Sequence, residues 1–277
     1  FSVVDGFENG KLLNINKRYN QRDPSITQIN SDYYVVVWHS NHYRSAKYKI
    51  YFNIIRSDTH EPIFIEEQEV DDHHTRVTNL FPQVEKLEND SVLVVWRRRY
   101  FEKINDEDGE EIGRPSIDVK IIGRIIKLNS DNTVIKSNEI SVSDDSHKPD
   151  DYIYQPTNLI NMSRYDSTTK NIAIVWLGEN IENIYCQICQ YDKDNNTMLF
   201  INEQEIVMKT PVSENERINF TVDTNNSENY NYKIKPNIKI LNTGNYLITW
   251  GAGNTREDYA ANGVDSNGDA NIYYIAE

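Results

Sequence analysis

The chain has 277 residues and carries 43 Asp and Glu against 29 Lys and Arg, a formal charge of −14. A field of that sign repels phosphate backbones and anionic bilayer surfaces, which argues against nucleic acid and membrane surfaces as partners. Aromatic residues make up 11%, with 18 Tyr; disordered acidic chains lack such content, so this one is expected to fold.

The chain opens at Phe1 without Met or a leader-like segment, which suggests a start that is processed or cut from a longer protein. No run reaches the ~18 consecutive apolar residues of a membrane-spanning helix. Early on come a turn at Glu8-Asn9-Gly10 and an alternating stretch, Leu12 to Asn16, that reads as a strand. Then a pattern begins that recurs. Pro24 precedes the strand Tyr33-Tyr34-Val35-Val36-Val37-Trp38. Pro82 precedes Ser91-Val92-Leu93-Val94-Val95-Trp96, Pro156 precedes Asn171-Ile172-Ala173-Ile174-Val175-Trp176, and Pro236 precedes Asn245-Tyr246-Leu247-Ile248-Thr249-Trp250. The interval from Pro to Trp is 14 residues in three copies and 20 in the third, which carries a polar insertion between Met162 and Thr169. All four Trp of the chain fall at this one position.

Each unit continues with a further strand: Lys49 to Ile55, Asp118 to Ile126, Asn183 to Tyr191 and Asn271 to Ala276. A short fourth strand follows at Glu69-Val70, Glu139-Ile140 and Glu205-Ile206. Asn, at 34 residues, and Asp serve as the turn formers where Gly (11) and Pro (8) are scarce. No stretch shows a capped 3.6-residue period. The Trp-bearing strands are apolar on both faces, as strands sandwiched between neighbouring sheets must be. Repeated antiparallel four-stranded units of this kind predict an all-β fold, a β-propeller of four repeats.

The repeats run 24–81, 82–155, 156–235 and 236–277, the last joined by residues 1–23 into one propeller spanning 1–277. The fourth copy has only 42 residues and ends on its third strand. An open sheet edge invites pairing, so Leu12 to Asn16 is expected to complete the last blade. It does so either in its own ring or in a neighbouring copy, where strand addition would build a fibre.

The unit resembles a tandem repeat of very large secreted and surface proteins of ciliates and bacteria, built on Pro-x-Val and a Val-Val-x-Trp strand. Pro82-Gln83-Val84 through Trp96, then Asp108-Gly109 and Ile121-Ile122-Gly123-Arg124, match it best, and Asn242-Thr243-Gly244-Asn245-Tyr246 gives the turn of the fourth copy. The first and third copies lack the turn glycine. The resemblance implies an extracellular or cell-surface architectural protein, not an enzyme. The open sheet edge makes neighbouring copies of the same protein the expected partners, and a lectin-like reading adds glycans.

Chemistry-bearing motifs are few. Asp265-Ser266-Asn267-Gly268-Asp269 alternates oxygen side chains around a glycine turn, so Asp265, Asn267 and Asp269 are candidate calcium ligands. Calcium is the one cofactor the sequence suggests. Residues 105–110 form a second, weaker acidic loop. Cys186 and Cys189 stand three apart on a strand, point to opposite faces, and read as packed thiols, neither a redox pair nor a zinc site. His73-His74 after Asp71-Asp72 point apart in an extended linker. Arg97-Arg98-Arg99 either neutralises acidic surface such as Glu102 and Glu110 or grips a carboxylate or sulfate on a glycan. Glycan acceptors stand at Asn89, Asn161, Asn195, Asn219 and Asn225.

Three function classes follow. The first is a non-catalytic structural module of a coat, adhesin or fibre. The second is a lectin-like propeller, and the third a propeller glycosidase, which needs paired carboxylates ~5–10 Å apart.

Overall fold

The computed structural model describes residues 13, 20–41, 47–72, 77–88, 90–101, 104–105, 111–113, 116–145, 149, 160–164, 171–177, 183–200, 205–209, 236–240, 246–252 and 271–276. Among these every regular element is a strand. The first sheet has the order β1 (Gln21–Gln28), β2 (Tyr33–Ser40), β3 (Lys49–Arg56), β4 (Gln68–Glu69). The second contains β5 (Val77–Lys86), β6 (Ser91–Phe101) and β9 (Ser116–Leu128), with β10 (Val134–Lys136) and β11 (Ile140–Ser141) both paired to β9. A ribbon of β7 (Ile104–Asn105) and β8 (Glu111–Gly113) lies between β6 and β9 in the chain. The third sheet holds β12 (Ile160–Arg164), β13 (Asn171–Leu177) and β14 (Asn183–Asp192), with β15 (Thr197–Phe200) and β16 (Glu205–Lys209) paired to β14. The fourth contains β17 (Asn237–Ile240), β18 (Tyr246–Ala252) and β19 (Asn271–Ala276). All pairings are antiparallel.

The sheets follow one another like leaves. The first strand of each sheet lies beside the first strand of the next: β1 beside β5, β5 beside β12, β12 beside β17. The core fills the gaps between leaves. Val35, Val37, Ile50, Phe52 and Ile54 of the first sheet meet Val92, Val94, Trp96, Ile122 and Ile126 of the second. The opposite face of the second sheet, with Leu93, Val95, Ile121 and Ile125, meets Ile172, Ile174, Trp176 and Tyr185 of the third. This explains why β6 lacks a polar face: a neighbouring sheet covers each side of it. Trp96 and Trp176 have no exposed surface, and truncating a side chain of that size to Ala costs on the order of 3–5 kcal/mol.

Tight turns set the register. Asp90, Asn132 and Asn196 adopt φ of 66°, 65° and 49° in the hairpin turns before β6, β10 and β15, conformations that short polar side chains tolerate better than others. Two outliers lie within strands instead. Asp23 (φ 50°) and Phe81 (φ 55°) each immediately precede a repeat proline, Pro24 and Pro82. The register of β1 against β2 shifts between Arg22 and Ser25, and that of β5 against β6 between Leu80 and Gln83. The proline therefore sits at a β-bulge, where its missing N–H breaks no ladder bond. Both strands begin well before the proline, so the repeated motif starts inside a strand.

Among the described residues the four large sheets hold four, five, five and three strands, where four per unit are expected. The two additional strands, β10 and β15, are hairpin arms that follow the turns at Asn132 and Asn196 and that the sequence pattern does not single out. Of the predicted N-terminal strand Leu12 to Asn16, only Leu13 lies within the described residues.

Candidate functional site

The two bulges bring different chemistry to one place, the end of the junction between the first and second sheets. Phe81 is 6% exposed and lies over the Arg97 guanidinium, 5.5 Å from its carbon to the ring centre. Its ring also meets His39 edge-on, with centroids 5.8 Å apart, and Tyr48 packs edge-on against the same imidazole at 5.0 Å. The Phe81 backbone N–H donates to His39 Nδ1 across 3.3 Å. Nδ1 is thus an acceptor and the ring proton sits on Nε2. Burial, reinforced by the positive charge of Arg22, pushes the imidazole pKa down to about 3. The ring is neutral at physiological pH. Asp23 Oδ2 lies 3.5 Å from Nδ1, and since that nitrogen carries no proton the two are both acceptors and form neither an ion pair nor a hydrogen bond. The Asp23 side chain is 27% exposed, against 2% for His39. A carboxylate on a left-handed bulge therefore reaches solvent beside a neutral imidazole, an aromatic ring and a buried guanidinium.

A second polar cluster ties the same two sheets together. Asn79, on β5, accepts from Trp96 Nε1 (3.0 Å) and Arg98 Nε (2.9 Å), and donates to Asp71 Oδ2 (2.6 Å). Asp71 follows β4 and accepts from the backbone N–H of Ile50. Its burial raises the carboxyl pKa to about 6. Arg98 grips Glu139 with two bonds of 2.5 and 2.7 Å. Burial works against the Glu139 charge, but the Arg98 bonds hold its pKa below the usual carboxylate range. Arg124 makes two bonds to Asp72 and one to the Val70 carbonyl oxygen, while the Asp72 N–H donates to Glu139. Every carboxylate here is held by a buried donor, so the cluster acts as a clamp between sheets.

The arginine run is therefore not a surface patch. Arg97, Arg98 and Arg99 are 1%, 2% and 6% exposed, and Arg98 neutralises Glu139, a partner brought close by sheet topology. Glu102 and Glu110 lie outside the described residues. The same is true of Asp265, Asn267 and Asp269, of Asn89, Asn219 and Asn225, and of His73 and His74. Among the described residues, no group of three His, Cys, Asp or Glu is placed to hold a metal ion, and no helix is long and apolar enough to cross a membrane. Asn161 lies on β12 and donates its amide to Asn237 of β17 (2.8 Å). Asn195 is exposed in the β14–β15 turn, bonded to Asp192. Cys186 and Cys189 are buried and form no disulfide; burial raises the Cys189 thiol.

Sequence reasoning missed Asp23 and His39. A signal existed: the residue before the repeat proline is Asp23, Phe81, Gln155 or Lys235, and only the first copy places a carboxylate there.

No protein-family model matches the chain, and no curated protein matches it. Solved structures do. A Trypanosoma rangeli sialidase in complex with the inhibitor DANA is similar over 84% of this chain and 35% of its own, at 8% identity and a TM-score of 0.47. A Streptococcus pneumoniae sialidase covers 81% of this chain and 26% of its own, at 9% identity and 0.46. The catalytic domain of a Microbacterium saccharophilum β-fructofuranosidase covers 93% and 62%, at 10% identity and 0.43. This chain spans about a third of the first and a quarter of the second. These matches correct the expectation that the chain is not an enzyme, because the solved chains it is similar to are enzymes. Their scores, all below 0.5, assign no activity to it.

Proposed function

We propose that the chain is a glycan-directed β-propeller-type protein whose sugar site lies at the inner junction of the first two sheets, with Asp23 as its principal polar group. The observation that carries this reading is the Asp23 bulge. A non-glycine residue at φ 50° costs on the order of 1 kcal/mol, and such conformations persist at sites where a side chain must be aimed. At the matching place in the second sheet Phe81 uses the same backbone to bury an apolar ring; the first sheet uses it to hold a carboxylate at the surface. A carboxylate accepts from adjacent sugar hydroxyls, and a small number of placed polar groups beside aromatic surface is the usual make-up of a small-ligand site.

The test is a glycan array and a panel of chromogenic glycosides, run with the full chain and with Asp23→Asn. Saturable binding or turnover that falls at least tenfold in the variant supports the reading. No binding and no turnover across the panels would overturn it.

A further inference from the structure

The first sheet has a buried face that no other described sheet accounts for. Trp96 packs towards the first sheet and Trp176 towards the second, so the repeated tryptophan faces the sheet that precedes its own. By the same rule Trp38 faces the place before the first sheet. Val36, Trp38 and Tyr51 there are only 7%, 5% and 3% exposed, and the residues packed against them are Ile55 and Leu13. Leu13 belongs to the segment ahead of β1.

The second sheet shows what such a junction contains. Beside Val35, Val37, Ile50, Phe52 and Ile54, the preceding leaf contributes to the Trp96 cluster Val70, just after β4. The next residue, Asp71, anchors Asn79, which in turn accepts from the Trp96 indole. In the first sheet Trp38 occupies the place of Trp96 and Ser40 that of Arg98, two residues on. Trp38 Nε1 and Ser40 Oγ are buried with no hydrogen-bond partner among the described residues. Leu13 packs on the Trp38 face, as Val70 packs in the Trp96 cluster one junction later.

We infer that the segment carrying Leu13 acts within its own chain as the closing element of the leaf that precedes the first sheet, the leaf formed by β17, β18 and β19. The occupant of the Trp38 face is thus the chain's own N-terminal segment and not a second copy. This goes beyond the glycan reading and does not depend on it.

The experiment compares the full chain with a form lacking residues 1–19, by light scattering, thermal melting and tryptophan emission, with a peptide of residues 1–19 added back. The full chain is expected to be a monomer. Deletion is expected to lower Tm by at least about 5 °C and to red-shift the emission as Trp38 becomes wet, and the peptide restores both saturably. Should the truncated form fail to fold, Leu13→Asp in the full chain reads the same contact: a lower Tm at unchanged mass. An unchanged Tm in both variants would overturn the inference. So would dimers or filaments of the full chain that dissociate on deletion, since the segment would then serve a neighbouring copy.

Discussion

The Phe81 backbone N–H points at His39 Nδ1 from the next sheet, 3.3 Å away, and this bond fixes the imidazole in its neutral form. A protonated ring would carry a hydrogen on Nδ1 facing that N–H, with burial opposing the charge as well. His39 is therefore a group whose folded pKa, about 3, lies below its unfolded value. The stability it contributes is present above pH 6.5 and is lost as pH falls towards 3. At pH 5 the loss is about 2 kcal/mol. Asp71 acts in the opposite sense. Its folded pKa, about 6, exceeds the unfolded one, so it adds about 1 kcal/mol on going from pH 7 to pH 5. His39→Gln is expected to abolish the acid loss and leave a chain more stable at pH 5 than at pH 7, as read by urea melts at both values. A variant with the wild-type acid loss would contradict the neutral, buried imidazole.

Glu139 is the partner of an Arg98 side chain that is 2% exposed. Removing one member of a buried ion pair strands the other charge, at a cost of about 3–5 kcal/mol. Glu139→Ala is expected to lose that much in chemical denaturation. Arg98→Met with Glu139→Leu should lose much less than the two single changes together. Additive losses would mean that the pair is not coupled.

At Asp23 function and stability should diverge. Glycine adopts φ 50° freely, so Asp23→Gly is expected to raise stability by about 0.5–1 kcal/mol while removing glycan binding. Phe81→Gly relieves the same backbone but loses the ring packed on Arg97 and His39, and should be destabilised. If Asp23→Gly also lowers stability, the carboxylate serves the fold and not a ligand.

The calcium reading rests on Asp265, Asn267 and Asp269. Millimolar calcium is expected to raise Tm, an effect abolished by Asp265→Ala with Asp269→Ala. The absence of a shift would remove the metal.

Much of the architecture was legible because each leaf is built from local pairings. The Val-Val-x-Trp strands needed apolar residues on both faces, and β2, β6 and β13 are where the sequence places them. The hairpin arms β10 and β15 were not legible, since Val134 to Lys136 and Thr197 to Phe200 follow turn residues and form edge strands with exposed side chains such as Ile135 and Phe200. The arginine run misled for a related reason. Three adjacent cations look like surface until Glu139, 41 residues from Arg98, arrives through the pairing of β11 with β9. The Asp23 site was obscured because its proline was read as the start of a repeat, while a bulge inside a strand is a property of pairing that one strand alone does not display.

The most direct measurement is the affinity of the full chain and of Asp23→Asn for glycans, taken first on an array and then by titration calorimetry with the best ligand. The account predicts saturable binding by the native chain that weakens at least tenfold when the carboxylate becomes an amide, with Tm unchanged within about 2 °C. Binding that survives the substitution undiminished, or no binding to any glycan, would contradict it.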